Sequence, residues 1–280
     1  MVLDGHIHIL EKTENREEFL QRLQQAGIEG GIILSLPPTS FQQLGQTGLA
    51  SERLENLFFW CEAGNMLFPF FWIDPLEDDA PDQVSMAVER GVMGFKVICD
   101  RYYPGDARVL PIFKKIADSH RPILFHSGIL WDGKPSSIYN RPAGFEALLE
   151  IEGLRFALAH ICWPWCDELI AVYGKFLSAA RLNPETTIEM FIDLTPGTPP
   201  IYRREALTKL LTVGYDVTRN MMFGTDCLTY AYNVGKAREW IERDTAIYQD
   251  LDITEEDMRR IFSGNLKRFL GMDNSGSQNV

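Results

Sequence analysis

Eight short apolar segments alternate with amphipathic segments along the 280 residues of this chain. The apolar segments have the length of β-strands, and helical patterns lie between them. We predict strands at Met1–Ile9, Ile28–Leu36, Leu67–Ile73, Val92–Ile98, Pro122–Phe125, Arg155–Ala159, Thr187–Ile192 and Met221–Thr225. We predict helices at Glu14–Ala26, Ser51–Ala63, Asp82–Arg90, Leu110–Ser119, Phe145–Glu150, Asp167–Ala179, Glu205–Val213, Lys236–Tyr248 and Glu255–Phe269. This alternation is typical of a parallel sheet whose strands are joined by helices.

The alternation continues without a break in composition. It therefore predicts a single (β/α)8 TIM barrel over residues 1–273, followed by a polar tail at 274–280. The alternative is a doubly wound open sheet, but that fold usually has a glycine-rich turn after its first strand, where this chain has His-Ile-His. We expect three helices to end at Gly27, Gly91 and Gly271. The last helix is expected to begin after an N-cap at Thr254.

The first predicted strand has one polar face. Because side chains alternate along a β-strand, His6 and His8 point to the same face, with Asp4 one layer deeper, while apolar residues occupy the other face. In a parallel barrel the outer face of a strand packs on helices, and the end of its inner face opens into an active site. The two histidines are therefore candidate metal ligands.

Polar residues also interrupt the apolar pattern at the ends of four later strands. Lys96 lies near the end of the fourth strand, and the fifth, sixth and eighth strands run into His126, His160 and Asp226. Active sites of TIM barrels lie at the C-terminal ends of the strands. Because buried imidazoles and carboxylates must be paired or coordinated, we expect the four histidines and Asp226 to converge on a divalent cation.

Short motifs spread from one end of the chain to the other carry a family resemblance. They are Asp4–His8, Gly94–Val97, Pro122–Gly128, Tyr139–Pro142, Leu158–His160, Trp163–Trp165, Asp167–Glu168, Phe223–Asp226 and Ile261–Asn265. On these motifs the chain resembles the amidohydrolase superfamily of metal-dependent TIM barrels. Within it, the chain most resembles the amidohydrolase-2 branch, which contains hydrolases, lactonases and non-oxidative decarboxylases.

The resemblance implies roles for the residues at the strand ends. His6, His8 and Asp226 would bind the metal ion, and His126 would add a ligand. His160 is a ligand in some relatives and polarises or positions the substrate carbonyl in others. Asp226 would also shuttle the proton from the attacking water to the leaving group. We expect one divalent ion, with Zn2+ as the first choice and Mn2+ as the alternative.

Lys96 has two roles among the relatives that the chain resembles. In two-metal relatives the lysine of the fourth strand is carboxylated and bridges the metals. In the amidohydrolase-2 branch it more often stays free and contacts substrate or a neighbouring carboxylate. We favour one metal and a free ammonium, which places Lys96 with Asp226 and His160 among the catalytic candidates.

The strand-end loops contain candidate substrate contacts in Tyr139, Arg141 and Trp163. Arg141 lies in the Tyr-Asn-Arg-Pro stretch that the family shares, and a guanidinium there would suit a carboxylate-bearing substrate. Two further carboxylates lie near the expected site. Asp4 is expected to steady a ligand from below, and Asp193 either hydrogen-bonds His160 or substrate, or caps its own loop.

The expected reaction is metal-dependent hydrolysis, in which an activated water attacks an ester, lactone or amide carbonyl of a small molecule. The alternative is a metal-dependent decarboxylase, which would use the same ligands. Decarboxylases of this type often carry an extended insertion after the first strand, and the short segment Leu10–Arg16 favours hydrolysis. A barrel without catalytic activity is the third hypothesis, which the intact ligand set argues against.

Charge and cysteine content limit the partners and the compartment. A formal net charge of −12 argues against nucleic acid or an anionic membrane surface as the main partner, and no apolar run is long enough to span a bilayer. The five cysteines, with no signal segment before the first strand, suggest reduced thiols in the cytoplasm. We expect a small-molecule substrate as the partner, and a homodimer is considered only by analogy with other barrel enzymes.

Overall fold

A parallel β-sheet forms the centre of the molecule. The structure is a computed structural model that describes residues 1–12, 15–62, 64 and 66–272. Within these residues the sheet has nine strands in the order β8-β7-β6-β5-β4-β3-β2-β1-β9. The strands are β1 (Leu3–His8), β2 (Gly30–Leu34), β3 (Leu67–Trp72), β4 (Gly94–Val97), β5 (Ile123–Phe125), β6 (Arg155–Leu158), β7 (Glu189–Asp193), β8 (Met221–Met222) and β9 (Cys227–Leu228).

The last two strands close the sheet into a barrel. β8 and β9 are consecutive pieces of one stretch of chain, separated by residues 223–226. β8 pairs with β7 through Met221 and Ile192, whereas β9 pairs with β1 through Cys227 and Ile7. Because all these pairings are parallel and the eighth segment contacts both β7 and β1, the fold is the predicted TIM barrel. The doubly wound alternative, an open sheet with a reversed strand order, is wrong.

Helices lie between most of the strands. They are α1 (Arg16–Ala26), α2 (Ala50–Cys61), α3 (Ala80–Arg90), α4 (Leu110–Asp118), α5 (Cys166–Leu182), α6 (Pro200–Thr212), α7 (Val234–Asp250), α8 (Glu255–Arg259) and α9 (Asn265–Phe269). None of the helices in the described part of the chain combines the length and the hydropathy needed to cross a membrane.

Two predicted helices differ from what the structure shows. The segment predicted as a helix between β5 and β6 is a 3-10 helix, Pro142–Glu150. The last predicted helix is interrupted by a π-helical turn, Arg260–Gly264, between α8 and α9. The predicted helix ends at Glu14 and Ala63, and the predicted tail at 274–280, lie outside the described residues.

The predicted helix boundaries at glycine are confirmed. Gly27, Gly91 and Gly271 follow α1, α3 and α9, and all three have positive φ angles, of 75°, 101° and 74°. Glycine adopts this left-handed conformation without a steric penalty. The Thr254 hydroxyl accepts a hydrogen bond from the backbone N–H of Asp257 at 3.1 Å, which makes it the predicted N-cap of α8.

The apolar core has an inner and an outer layer because side chains alternate along each strand. In β3, Phe70 belongs to the inner layer and Phe71 to the outer layer, which packs against the helices. Phe269 of α9 packs on Phe70 and on Phe191 of β7, with ring centroids 6.1 and 5.1 Å apart. α9 therefore contributes to the core inside the barrel, away from the ends of the strands that carry the polar residues.

We predict that Gly31→Ala strongly destabilises the barrel. Gly31 pairs with Asp4 across β2 and β1, and a Cβ at this position would lie 2.0 Å from the Asp4 carbonyl oxygen. The strands must separate to relieve this clash, so we expect the free energy of unfolding to fall by about 3 kcal/mol in chemical denaturation.

The matched control is Gly235→Ala in α7, where the nearest atom to the new Cβ, Asn233 Oδ1, would be 3.6 Å away. Because alanine is the better helix former, this variant should be as stable as the parent or gain up to about 1 kcal/mol. Equal stabilities of the two variants would contradict the tight β1–β2 packing.

Candidate metal centre

Three side chains at one end of the barrel bring metal-binding atoms together. Among the described residues, the ligand atoms of His6, His8 and Asp226 all lie within 4.8 Å of one another, and we call these residues the His–His–Asp cluster. β1 provides both imidazoles. Asp226 comes directly before β9, and its backbone N–H donates to the His6 carbonyl at 3.0 Å. Pairing of the two strands therefore places the carboxylate beside the histidines.

The geometry of the His–His–Asp cluster fits a divalent ion. His6 Nε2 lies 3.1 Å from His8 Nε2 and 3.8 Å from Asp226 Oδ1, and His8 Nε2 lies 3.4 Å from the same oxygen. A tetrahedral zinc ion with bonds of about 2.0–2.1 Å would hold its ligand atoms about 3.3 Å apart. The three separations surround that value, so small side-chain adjustments would allow all three atoms to ligate one ion.

Asp193, the last residue of β7, orients one of these imidazoles. Its Oδ2 accepts a hydrogen bond from His6 Nδ1 at 2.7 Å, and its Oδ1 accepts from the Thr195 backbone N–H at 2.8 Å and from the Thr195 hydroxyl. With its proton on Nδ1, His6 presents the lone pair of Nε2 to the cluster. This carboxylate–histidine arrangement is common behind metal ligands. The predicted cap of its own loop is present in the bonds from Thr195, whereas the imidazole that Asp193 binds is that of His6 and not the predicted His160.

Asp4 supports the cluster from below. It accepts hydrogen bonds from the His6 backbone N–H at 3.0 Å, from the Thr225 N–H and hydroxyl at 2.9 and 2.5 Å, and from the Tyr232 hydroxyl at 2.8 Å. Burial raises the pKa of Asp4 to about 6. Its oxygens are occupied by these donors, and Thr225 directly precedes Asp226, so Asp4 ties the two halves of the cluster together.

The buried histidines are held neutral. Burial lowers the pKa of His6 and of His126 well below the usual value, and it lowers the pKa of His160 to about 4. Removing an imidazolium from water is unfavourable, so the uncharged form prevails near pH 7. The neutral imidazole is the form that ligates a metal.

His126 and His160 lie next to the cluster but outside the group of closely spaced ligand atoms. The His160 ring centroid is 5.3 Å from that of His6 and 5.0 Å from that of His126. His126 Nε2 donates to the Ile129 carbonyl at 3.2 Å, and the buried Nδ1 of His160 has no hydrogen-bond partner. Both imidazoles are near enough to contact a molecule bound at the cluster, and their assignment as ligands stays a prediction.

The backbone around His160 has an unusual conformation. His160, Ile161 and Cys162 all have positive φ angles, between 47° and 64°, and Asp226 has a φ of 59°. Such conformations are unfavourable for residues other than glycine and concentrate at functional sites. Gly197 faces this turn, where a Cβ would lie 2.6 Å from the His160 Cβ. Only glycine fits there without moving the imidazole.

Lys96 of β4 reaches the same site from inside the barrel. Its side chain is buried, and Nζ lies 3.5 Å from His6 Nε2. Burial lowers the pKa of Lys96 to about 8, against the opposing effect of the charges on Asp193 and Asp226. The structure therefore brings Lys96 to the cluster, while its role as a free amine stays a prediction.

A cavity of about 280 Å³ opens beside the His–His–Asp cluster. Its polar end is formed by His8, Asp226, His126 and His160, and Trp163 contributes to its wall. Of the three predicted substrate contacts, Trp163 is the one that the structure brings to the cavity.

The other two predicted substrate contacts do not line this cavity. The Arg141 guanidinium pairs with Glu168 at 2.6 Å and lies over the Trp165 ring, 5.2 Å from its centroid. Tyr139 packs edge-to-face on Tyr103, with ring centroids 4.9 Å apart. The sequence motif identified the loop but could not reveal Glu168, which comes from the neighbouring helix α5, as the partner of Arg141.

Solved structures share the fold at low sequence identity. Dihydroorotase from Campylobacter jejuni is 15% identical with a TM-score of 0.56, over 96% of this chain and 83% of that one. N-isopropylammelide isopropylaminohydrolase from Burkholderia multivorans is 14% identical with a TM-score of 0.54, over 97% and 75% of the two chains. Both are similar to this chain as barrels. A search of curated proteins found none that matches the sequence.

The family follows from the sequence match. A model of the amidohydrolase family matches residues 50–272, which is most of the chain. The match begins after β1, so it includes His126, His160 and Asp226 but not the two histidines of the first strand. Those histidines join the matched part through the pairing of β1 with β9. The chain belongs to the amidohydrolase family.

Proposed function

We propose that this protein is a metal-dependent hydrolase that cleaves an ester, lactone or amide bond of a small molecule. The observation that carries the proposal is the His–His–Asp cluster, whose three ligand atoms lie at zinc-like separations at the end of a cavity. Family membership supports the same class of chemistry. The cavity would hold the substrate with its carbonyl next to the cluster.

The ligand set suits one zinc ion. Two imidazoles and one carboxylate with a position open to the cavity are typical of catalytic zinc sites, and Mn2+ is the alternative ion for such nitrogen and oxygen ligands. When bound, the ion would supply a water of lowered pKa and would polarise the substrate carbonyl. His6, His8 and Asp226 would hold it, with His126 or His160 as a further ligand.

Asp226 is the proposed proton carrier. Its side chain is 35% exposed, unlike the fully buried carboxylates of Asp4 and Asp193, and it lines the cavity. A carboxylate oxygen here can accept a proton from the attacking water and donate it to the leaving group. Asp4 and Asp193 have their oxygens occupied by internal donors and are proposed to position the cluster.

His160 and Lys96 are proposed to act on the substrate. The Nδ1 atom of His160 is buried without a partner, and its side chain lines the cavity, so its imidazole can orient or polarise a carbonyl oxygen. Lys96 lies deeper, and its amine would adjust the charge around the His–His–Asp cluster or contact a substrate oxygen.

We predict that turnover requires one metal ion per chain. Treatment with a chelator should abolish turnover, zinc should restore it, and elemental analysis should find close to one ion. The His8→Asn variant should lose both the metal and activity. His120→Asn is the matched control, because His120 lies in a turn with a φ of 59° that asparagine tolerates. Two ions per chain would indicate a carboxylated Lys96, and full activity without metal would rule out the mechanism.

We predict that Asp193→Asn weakens metal binding about 10- to 100-fold, since loss of a carboxylate behind a histidine ligand has effects of this size. An amide cannot fix the His6 tautomer as strongly as the carboxylate does. Competition with a fluorescent zinc chelator measures the affinity. Asp250→Asn is the matched control, because that carboxylate is an exposed partner of Arg204. Equal affinities of the two variants would show that the Asp193–His6 hydrogen bond has no effect on the metal.

A substrate panel tests the reaction type. Esters, lactones and amides should be hydrolysed by the zinc-loaded protein, with the carboxylic acid product measured by chromatography. Aromatic carboxylic acids should release no CO2. Decarboxylation without hydrolysis of any carbonyl substrate would overturn the proposed function. It would indicate that the His–His–Asp cluster serves a decarboxylase.

A further inference from the structure

Most of the cavity wall is apolar beyond the polar end that holds the histidines and Asp226. The wall includes three tryptophans and several aliphatic side chains, among them Leu10, Leu44, Trp72, Ile98, Leu130 and Trp131. No arginine or lysine lines the cavity in the described part of the chain. The part of a substrate that lies away from the reacting carbonyl would therefore meet hydrocarbon and indole surfaces.

The apolar wall is a packed surface. Trp72 is buried between Phe41, with ring centroids 5.3 Å apart, and His8, with ring centroids 5.8 Å apart. Ile98 and Leu130 complete this small core cluster, which is separate from the main core of the barrel. Because its members are held by one another, the wall offers a preformed apolar chamber next to the ligand His8.

The arginines on the surrounding loops are bound to acidic side chains. Arg101, which follows β4, pairs with Asp74 at 2.5 Å and with Asp100 at 2.7 Å. Arg141 is held by Glu168 at 2.6 Å. These guanidinium groups are engaged, and neither of them lines the cavity.

The cavity also limits the size of the substrate. Its volume is about 280 Å³. A cavity of about 150 Å³ holds one benzene molecule, so this one has room for a substituted aromatic ring or a short branched alkyl group in addition to the reacting carbonyl.

We propose that the non-reacting part of the substrate is an uncharged aryl or alkyl group that occupies this apolar chamber. The inference rests on the proposed function, because it places the reacting carbonyl at the His–His–Asp cluster. A carboxylate remote from that carbonyl would be buried without a positive partner, which is strongly unfavourable. This replaces the expectation of a carboxylate-bearing substrate, which depended on Arg141.

A pair of matched ligands tests the proposal through binding alone. Para-isopropylbenzohydroxamate and para-carboxybenzohydroxamate have the same chelating group and the same number of non-hydrogen atoms, and they differ in the charge of the tail. Isothermal titration into the zinc-loaded protein at pH 7 should show tighter binding of the isopropyl compound by about 100-fold, the scale of an uncompensated buried charge.

A variant with a positive charge in the cavity wall provides a second test. Leu44 lines the cavity and is only partly buried, so Leu44→Arg can place a guanidinium at the wall without disturbing the barrel. This variant should reduce the preference for the isopropyl compound by about tenfold or more. Leu182→Arg is the matched control, because Leu182 is 80% exposed at the end of α5 and should leave the preference unchanged.

The outcomes separate this inference from the proposed function. Equal or tighter binding of the carboxylate compound by the parent protein overturns the apolar-tail inference and leaves the hydrolase proposal standing. Preferential binding of the isopropyl compound supports the inference even where the substrate panel shows decarboxylation in place of hydrolysis. Equal responses of Leu44→Arg and Leu182→Arg would show that the chamber does not hold the tail, which also overturns the inference.

Discussion

The parallel pairing of β9 with β1 is the interaction on which the site depends. It closes the barrel and places the backbone N–H of Asp226 on the carbonyl of His6, 3.0 Å away. Residues from the two ends of the chain thereby become neighbours. Without this pairing the His–His–Asp cluster would lack its carboxylate, and the cavity would lose one of its walls. Asp226 is the last residue of the interruption between β8 and β9, and it has a positive φ of 59°.

Two buried carboxylates hold this junction in place. Asp4 receives hydrogen bonds from both sides of the β1–β9 pairing, and Asp193 fixes the imidazole of His6. Their oxygens are taken up by internal donors, whereas Asp226 is left partly exposed to the cavity. The three carboxylates are alike in chemistry, and the differences in their burial and partners are the reason why we propose Asp226 as the proton carrier and the other two as its supports.

The sequence predicts the barrel and the cluster well because both depend on local patterns. Alternating strands and helices imply the fold, and polar residues at strand ends such as His126 and Asp226 must meet at one rim. Contacts between side chains that are distant in sequence cannot be predicted from such local patterns. Asp193 accepts a hydrogen bond from Thr195 of its own loop, which is one of the predicted alternatives. Its bond with His6 could not be predicted, because β7 and β1 are not neighbours in the sheet and these two side chains meet only inside the closed barrel. Arg141 lies in a family motif, yet Glu168 of α5 holds its guanidinium, and no local pattern reveals that ion pair.

We propose that one metal ion binds at the His–His–Asp cluster. The most direct measurement is anomalous X-ray diffraction from crystals of the zinc-loaded protein at the zinc absorption edge. We expect one strong anomalous peak at bonding distance, about 2.0–2.2 Å, from His6 Nε2, His8 Nε2 and a carboxylate oxygen of Asp226. An anomalous peak at any other place in the molecule, with none at these three side chains, would contradict it.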